Sequence, residues 1–266
     1  MATRPLEGLG VVVTRPRHQA AGLVAELERR GARVMEYPLL EVAPPTDEAP
    51  ARALVDRLDD YGLAIFISAN AAQWGLELVR RRGRSLAGLE VAAVGGATAR
   101  ALAAQGVRPA VVPHQRFTSE GLLELLPAER VAGRRIIIFR GEGGRALLAD
   151  ELRARGARVD YAEVYRRVMP QDTDGGRLTA ACGAGEVDVL LLTSREAMEN
   201  LVAIAGPGLD ACTGGVRLLV VNEDMVARAR EFGFRLRPLV AARPDDASLV
   251  AALEGWQAAG RAEASP

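Results

Sequence analysis

Residues 8–34 read GLGVVVTRPRHQAAGLVAELERRGARV, and residues 133–159 read GRRIIIFRGEGGRALLADELRARGARV. Each stretch spells a short apolar strand, a loop led by Arg15 or Arg140, an amphipathic helix, a glycine stop and a second strand. The repetition extends outward. LAIFISANAAQWGLELV (63–79) lies over VDVLLLTSREAMENLV (187–202), which sets Ser68 on Ser194 and Ala71 on Ala197. VAAVGGATARALAAQG (91–106) lies over LLVVNEDMVARAREFG (218–233), and TSEGLLELL (118–126) over DDASLVAAL (245–253). Four segments in one order, with an offset that drifts from 125 to 127, mark an internal duplication.

The strands VVVT, IIIF, AIFIS and VLLLT are nearly continuous apolar runs, as strands covered on both faces are. Their alternation with helices predicts an α/β fold of two sister, flavodoxin-like open parallel sheets. In such sheets ligands sit beyond the carboxyl ends of the strands. The candidate site residues are therefore those just after each strand: Arg15; Ser68, Asn70 and Ala71; Gly95, Gly96 and Thr98; Arg140 and Gly141; Thr193, Ser194 and Arg195; and Asn222. Ser119, in the repeated segment TSEGLLELL, is a further candidate. Small and hydroxyl residues here are also ordinary helix N-caps. Together they line up helix N-termini whose free N–H groups favour anions, and Arg15, Arg140 and Arg195 add full charge.

Composition narrows the chemistry. Every Lys or Arg in the chain is arginine. Lysine-dependent chemistry, including pyridoxal Schiff bases and the Walker-type phosphate lysine, is thereby excluded, and a bound anion must meet arginines, hydroxyls or backbone N–H groups. The formal net charge is zero and no block of like charge occurs, so neither nucleic acid nor a membrane surface is expected as a partner. MATRPLEGLG lacks a signal-peptide core, and no apolar run is long enough to span a bilayer. Cys182 and Cys212 have no zinc-ligand spacing, and such sparse cysteine usage fits a reducing, cytoplasmic setting. His18 and His114, in arginine-flanked loops, read as surface residues. The absence of heptads favours a monomer.

IIIFRGEGGRA holds Gly141-x-Gly143-x-x-Ala146 after a strand, with Asp160 placed as a ribose acid would be. That pattern is the basis of an alternative, dinucleotide-binding reading. The sister segment TRPRHQAAGL has no such glycines, and Met35 stands opposite Asp160.

VVVTRP (11–16), FISANAA (66–72), AAVGGATARALAAQG (92–106), FTSEGLLELL (117–126), FRGEGGRALLADEL (139–152), VYRRV (164–168) and LLTSREAMENL (191–201), in this order, resemble the uroporphyrinogen-III synthase family over nearly the full chain. The resemblance implies two flavodoxin-like domains joined by a two-stranded linker, the chain crossing out and back. Domain one is then 1–37 with 169–266, domain two 42–163, and the linker strands 38–41 and 164–168. It implies cyclisation of hydroxymethylbilane, a linear tetrapyrrole polycarboxylate, to uroporphyrinogen III in an interdomain cleft. Water is lost, the terminal pyrrole ring inverts, and neither metal nor cofactor takes part. Tyr165 matches the family's linker tyrosine, which makes it the candidate donor to the departing hydroxyl. One departure stands out: where the family often has a G-x-T-A turn, this chain has Asn222, Glu223 and Asp224, negative charge where a carboxylate should dock. That acidic pair keeps open a second alternative, a non-catalytic two-lobed regulator that binds a tetrapyrrole or small anion.

Overall fold

The computed structural model describes residues 4–114 and 116–260. The chain starts with β1 (Gly10–Val13), α1 (Arg17–Arg29) and β2 (Arg33–Glu36). It continues through β3 (Glu41–Ala43), α2 (Ala49–Asp56), β4 (Leu63–Phe66), α3 (Ala69–Arg81), β5 (Glu90–Ala93) and α4 (Gly96–Ala103). Then come α5 (Ser119–Glu124), α6 (Ala128–Val131), β6 (Arg135–Gly141), α7 (Leu147–Ala154) and β7 (Arg158–Val168). The last part holds α8 (Gly175–Gly183), β8 (Val189–Leu191), α9 (Arg195–Ala205), α10 (Asp210–Thr213), β9 (Arg217–Val220), α11 (Glu223–Glu231), β10 (Leu239–Val240) and α12 (Asp246–Ala258).

Two compact units result, one from residues 1–41 with 168–266 and one from residues 42–167. The first unit's sheet runs β10-β9-β8-β1-β2, with parallel pairing at every step. Numbered within the unit, that is the 2-1-3-4-5 order of the flavodoxin-like fold. The second unit's sheet runs β3-β7-β6-β4-β5, and Val111 bridges in parallel to Ala92 beyond β5. Under the repeat, β6 and β7 stand for β1 and β2, β4 and β5 for β8 and β9, and Val111 for β10. Both units thus carry one strand order, and each draws strands from both halves of the duplication.

Alternation along the strands builds a core on each face. In the first unit Val12, Leu190 and Leu218 pack on one side, while Val11, Val13, Leu191 and Leu219 pack on the other. In the second, Ala64, Phe66, Ile137 and Phe139 face α3, while Leu63, Ile65, Ile136 and Ile138 face α5 and α7. Phe66 and Phe139 stack with ring centroids 4.6 Å apart. Gly75 of α3 lies directly on that pair, since a Cβ there would fall 2.7 Å from the Phe139 ring. Removing the side chain lets α3 approach the sheet closely, which seats its N-terminus at the tip of β4.

The two cysteines are joined, a pairing that their sequence spacing does not announce. Cys182 of α8 and Cys212 of α10 form a disulfide, with Cα atoms 5.1 Å apart. Packing of these two helices brings together residues that sequence spacing keeps apart.

Candidate strand-tip active site

An open sheet binds ligands where its strand order reverses. In the second unit that point lies between β6 and β4, and Ser68, Arg140 and Gly141 converge there. Ser68 is the N-cap of α3, its Oγ accepting the Ala71 N–H at 2.9 Å. The β6–β7 register slips at Arg140/Gly141, so that Arg140 stands opposite Glu163 and Gly141 opposite Tyr165. A bulge of this kind re-aims a side chain. Here both Val164 and Tyr165 turn to the α3 face, and the Glu142 N–H donates to the Tyr165 carbonyl at 2.8 Å. The Tyr165 ring lies over Gly141, where a Cβ would come within 2.7 Å of it. The ring is core, 2% exposed. Its hydroxyl lies 3.1 Å from Ser68 Oγ.

Arg140 points to the opposite face. It is 4% exposed, with its guanidinium 4.4 Å above the Tyr161 ring. Nε donates to the Gly141 carbonyl at 3.1 Å, and the carboxylate of Glu163 stands off at 3.8 Å. Gly144, with φ +91°, crosses the end of the guanidinium so closely that a Cβ would lie 2.7 Å from Nη2. A buried charge this loosely paired is costly unless a further anion completes it. α7, which follows β6, has no capping side chain at its N-terminus, though Asp150 lies in its first turn; α4, at the tip of the edge strand β5, has none either. Gly95 and Gly96 open α4, with Phe117 packed on Gly95 and the Arg100 guanidinium beside Gly96. Thr98 is buried in that turn.

The first unit fills the corresponding places differently. Arg15 is clamped, with Nη1 2.5 Å from Asp246 Oδ1 and Nη2 2.6 Å from the Pro244 carbonyl. Ser194 caps α9 through the Ala197 N–H at 3.1 Å, and Asn222 caps α11 through the Met225 N–H at 3.0 Å. Glu223 and Asp224 occupy the first turn of α11, where carboxylates stabilise the helix dipole. Thr193 is half-buried before Ser194, Arg195 is exposed, and Asn70 and Ala71 lie in the first turn of α3. Ser119 is the first residue of α5 and not its cap; Thr118 caps it through the Gly121 N–H at 3.3 Å. Thr118 and Asp245, the cap of α12, align in the repeat, which was the signal for both.

Asp160 is not a ribose ligand. It accepts the Tyr61 hydroxyl at 2.7 Å beside Arg135, the residue that opens β6, so it sits at the opposite end of the sheet from the strand tips. Burial, followed by the bond to Asp160, pushes the Tyr61 hydroxyl up to about 12. The dinucleotide reading loses its acid. His18 and His114 are exposed. Among the described residues no group of three His, Cys, Asp or Glu converges as metal ligands, and no helix is long and apolar enough to cross a membrane.

Residues 21–251 match the family model described as uroporphyrinogen-III synthase HemD. The chain belongs to the uroporphyrinogen-III synthase family. Uroporphyrinogen-III synthase of Escherichia coli K12 is 31% identical over 92% of this chain and 100% of its own length. That of Synechococcus elongatus is 31% identical over 79% of each chain. Among solved structures, a mutant uroporphyrinogen III synthase of the extremely thermophilic bacterium Thermus thermophilus superposes with a TM-score of 0.60 over 95% of this chain and 99% of its own, at 22% identity. The Helicobacter pylori uroporphyrinogen-III synthetase superposes with a TM-score of 0.56 over 82% and 91%, at 14% identity. Both structures share the fold of this member of the synthase family.

Proposed function

We propose that the protein cyclises hydroxymethylbilane to uroporphyrinogen III, with loss of water and inversion of the terminal pyrrole ring. The observation that carries this reading is the second unit's strand tips, where a buried, loosely paired arginine, the uncapped N-terminus of α7 and a hydroxyl pair stand at the switch point and the uncapped N-terminus of α4 follows the neighbouring strand β5. Arg140 and the open N–H groups of α4 and α7 suit carboxylates, which a bilane carries in number. The Ser68–Tyr165 pair suits donation to the departing hydroxyl. An electron-rich pyrrole expels its own leaving group, so the protein's main task is to orient both ends of the chain. Positioning of that kind supplies several kcal/mol, roughly, of barrier lowering. The reading takes the chain as a cytoplasmic monomer working without metal or cofactor. The buried disulfide is compatible with it, because 7% and 0% exposure shields the two sulfurs from soluble thiols.

The test is incubation with freshly made hydroxymethylbilane, followed by separation of the product isomers. The inverted isomer is expected in excess. Only the uninverted isomer, at the rate of the spontaneous reaction, would leave a tetrapyrrole-binding regulator in its place.

A further inference from the structure

The chain has four tyrosines, and their hydroxyls are not used alike. Tyr37 donates to the Asp174 carbonyl, Tyr61 to the Asp160 carboxylate and Tyr161 to the Ala146 carbonyl. Each of those partners can only accept. Tyr165 alone faces another hydroxyl, Ser68 Oγ at 3.1 Å. Tyr165 is buried, whereas Ser68 is half-exposed at the tip of β4. A serine hydroxyl has two acceptor positions and one donor. One acceptor position of Ser68 takes the Ala71 N–H at 2.9 Å. A buried phenol must also place its hydrogen, and Ser68 is its hydrogen-bond partner. When the Tyr165 O–H is the donor, both acceptor positions of Ser68 are filled, its remaining capacity is its own O–H, and the two bonds it accepts polarise that hydrogen.

We propose that Ser68 is the hydroxyl that meets the substrate, and that Tyr165 is a positioning residue behind it. This rests on the synthase reading above and reverses the assignment that the tyrosine's resemblance to the family suggests. In the step concerned the hydroxymethyl C–O bond breaks and its electron pair stays on oxygen. That oxygen takes a proton through the Ser68 O–H and leaves as water, while the pyrrole ring supplies the electrons that satisfy the carbon. The proton is made good when the carbon that forms the closing bond sheds its hydrogen. Gly141 serves the same arrangement, because any side chain there would displace the Tyr165 ring.

Ser68→Ala, Ser68→Thr, Ser68→Asp, Tyr165→Phe and the Ser68→Ala/Tyr165→Phe double variant decide the matter, measured for kcat, KM and thermal midpoint. Ser68→Ala is expected to lower kcat about 100-fold with little change in KM, as loss of a donor acting in the transition state does. Tyr165→Phe is expected to lower it about tenfold, and the double variant to be no worse than Ser68→Ala alone. Threonine keeps cap and donor and should restore kcat. Aspartate keeps the cap and so the thermal midpoint, but offers no hydrogen at neutral pH and should leave kcat low, which separates the role from helix capping. A larger loss for Tyr165→Phe than for Ser68→Ala, fully additive losses, or rescue of kcat by aspartate would overturn the assignment. If the unmodified protein yields only the uninverted isomer, the synthase reading fails first and takes this inference with it.

Discussion

Arg15 and Arg140 occupy one position of the duplicated sequence, yet the first is clamped by Asp246 and the second meets a carboxylate only at 3.8 Å. The cause lies in a second pair of equivalent residues. At the repeat offset of 127, Asp246 falls on Ser119, so the second unit has a hydroxyl where the first has a charge. The tips after β9 and β5 differ in the same sense: Asn222, Glu223 and Asp224 cap and neutralise α11, while Gly95 and Gly96 leave α4 open. Fold stability was secured in one copy with groups that the other copy keeps available. Twin architecture therefore does not mean twin chemistry: Arg140 and the N-terminus of α4 lack the carboxylates that clamp or neutralise their counterparts in the first unit.

The largest separation of the two units should come from the disulfide, which only the first possesses. Closing a loop at a sequence separation of 30 is worth about 3–4 kcal/mol on chain-entropy grounds. Cys182→Ser/Cys212→Ser should lower the melting of the first unit and leave the second unchanged, as read by hydrogen exchange resolved along the chain. Uniform loss of protection in both units would deny that they are separately stabilised.

Next in size is the arginine pair. Arg140→Met keeps the packing over Tyr161 and removes a charge-assisted contact worth about 1.5–3 kcal/mol, which is roughly 10- to 100-fold in kcat/KM. Arg15→Met should cost stability at α12 and change kcat/KM less than about threefold. Equal losses of kcat/KM in the two variants would erase the contrast. Smaller again is Asn222→Ala, which removes the cap of α11 and should lower stability by about 1 kcal/mol with turnover intact.

The smallest effect is one of pH, and the absence of lysine isolates it. Burial, the larger cause, and the neighbouring Asp174 push Tyr37 up to about 12, and Tyr61 is pushed up to about 12 by burial and Asp160. The folded form thus holds these protons more tightly than the unfolded chain, whose tyrosines titrate near their ordinary value of 10. Their stabilisation is complete below about pH 10 and is lost as pH rises towards 12. Each unit has one such tyrosine, so Tyr37→Phe should flatten the alkaline loss in the first unit and Tyr61→Phe in the second.

Much of this was legible in the sequence, because duplication and strand-to-helix punctuation are local. The caps at Ser68, Ser194 and Asn222 stand where the repeat put them, and the sheets follow from the apolar strands. What could not be read were contacts made by closure of the chain. Asp246 reaches Arg15 across 231 positions, and Cys212 meets Cys182 through helix packing. The slip in the β6–β7 ladder turns Tyr165 into the core against the polarity of its neighbours. Arg15 and Arg140 look identical in sequence for that reason; their difference belongs to residues far away.

On the proposed reading, Arg140 meets substrate because Ser119 is not a carboxylate. Ser119→Asp should rebuild the clamp of the first unit in the second, raising KM for hydroxymethylbilane by about tenfold or more while leaving the thermal midpoint unchanged or higher. A Ser119→Asp protein that folds normally and keeps its KM would contradict it.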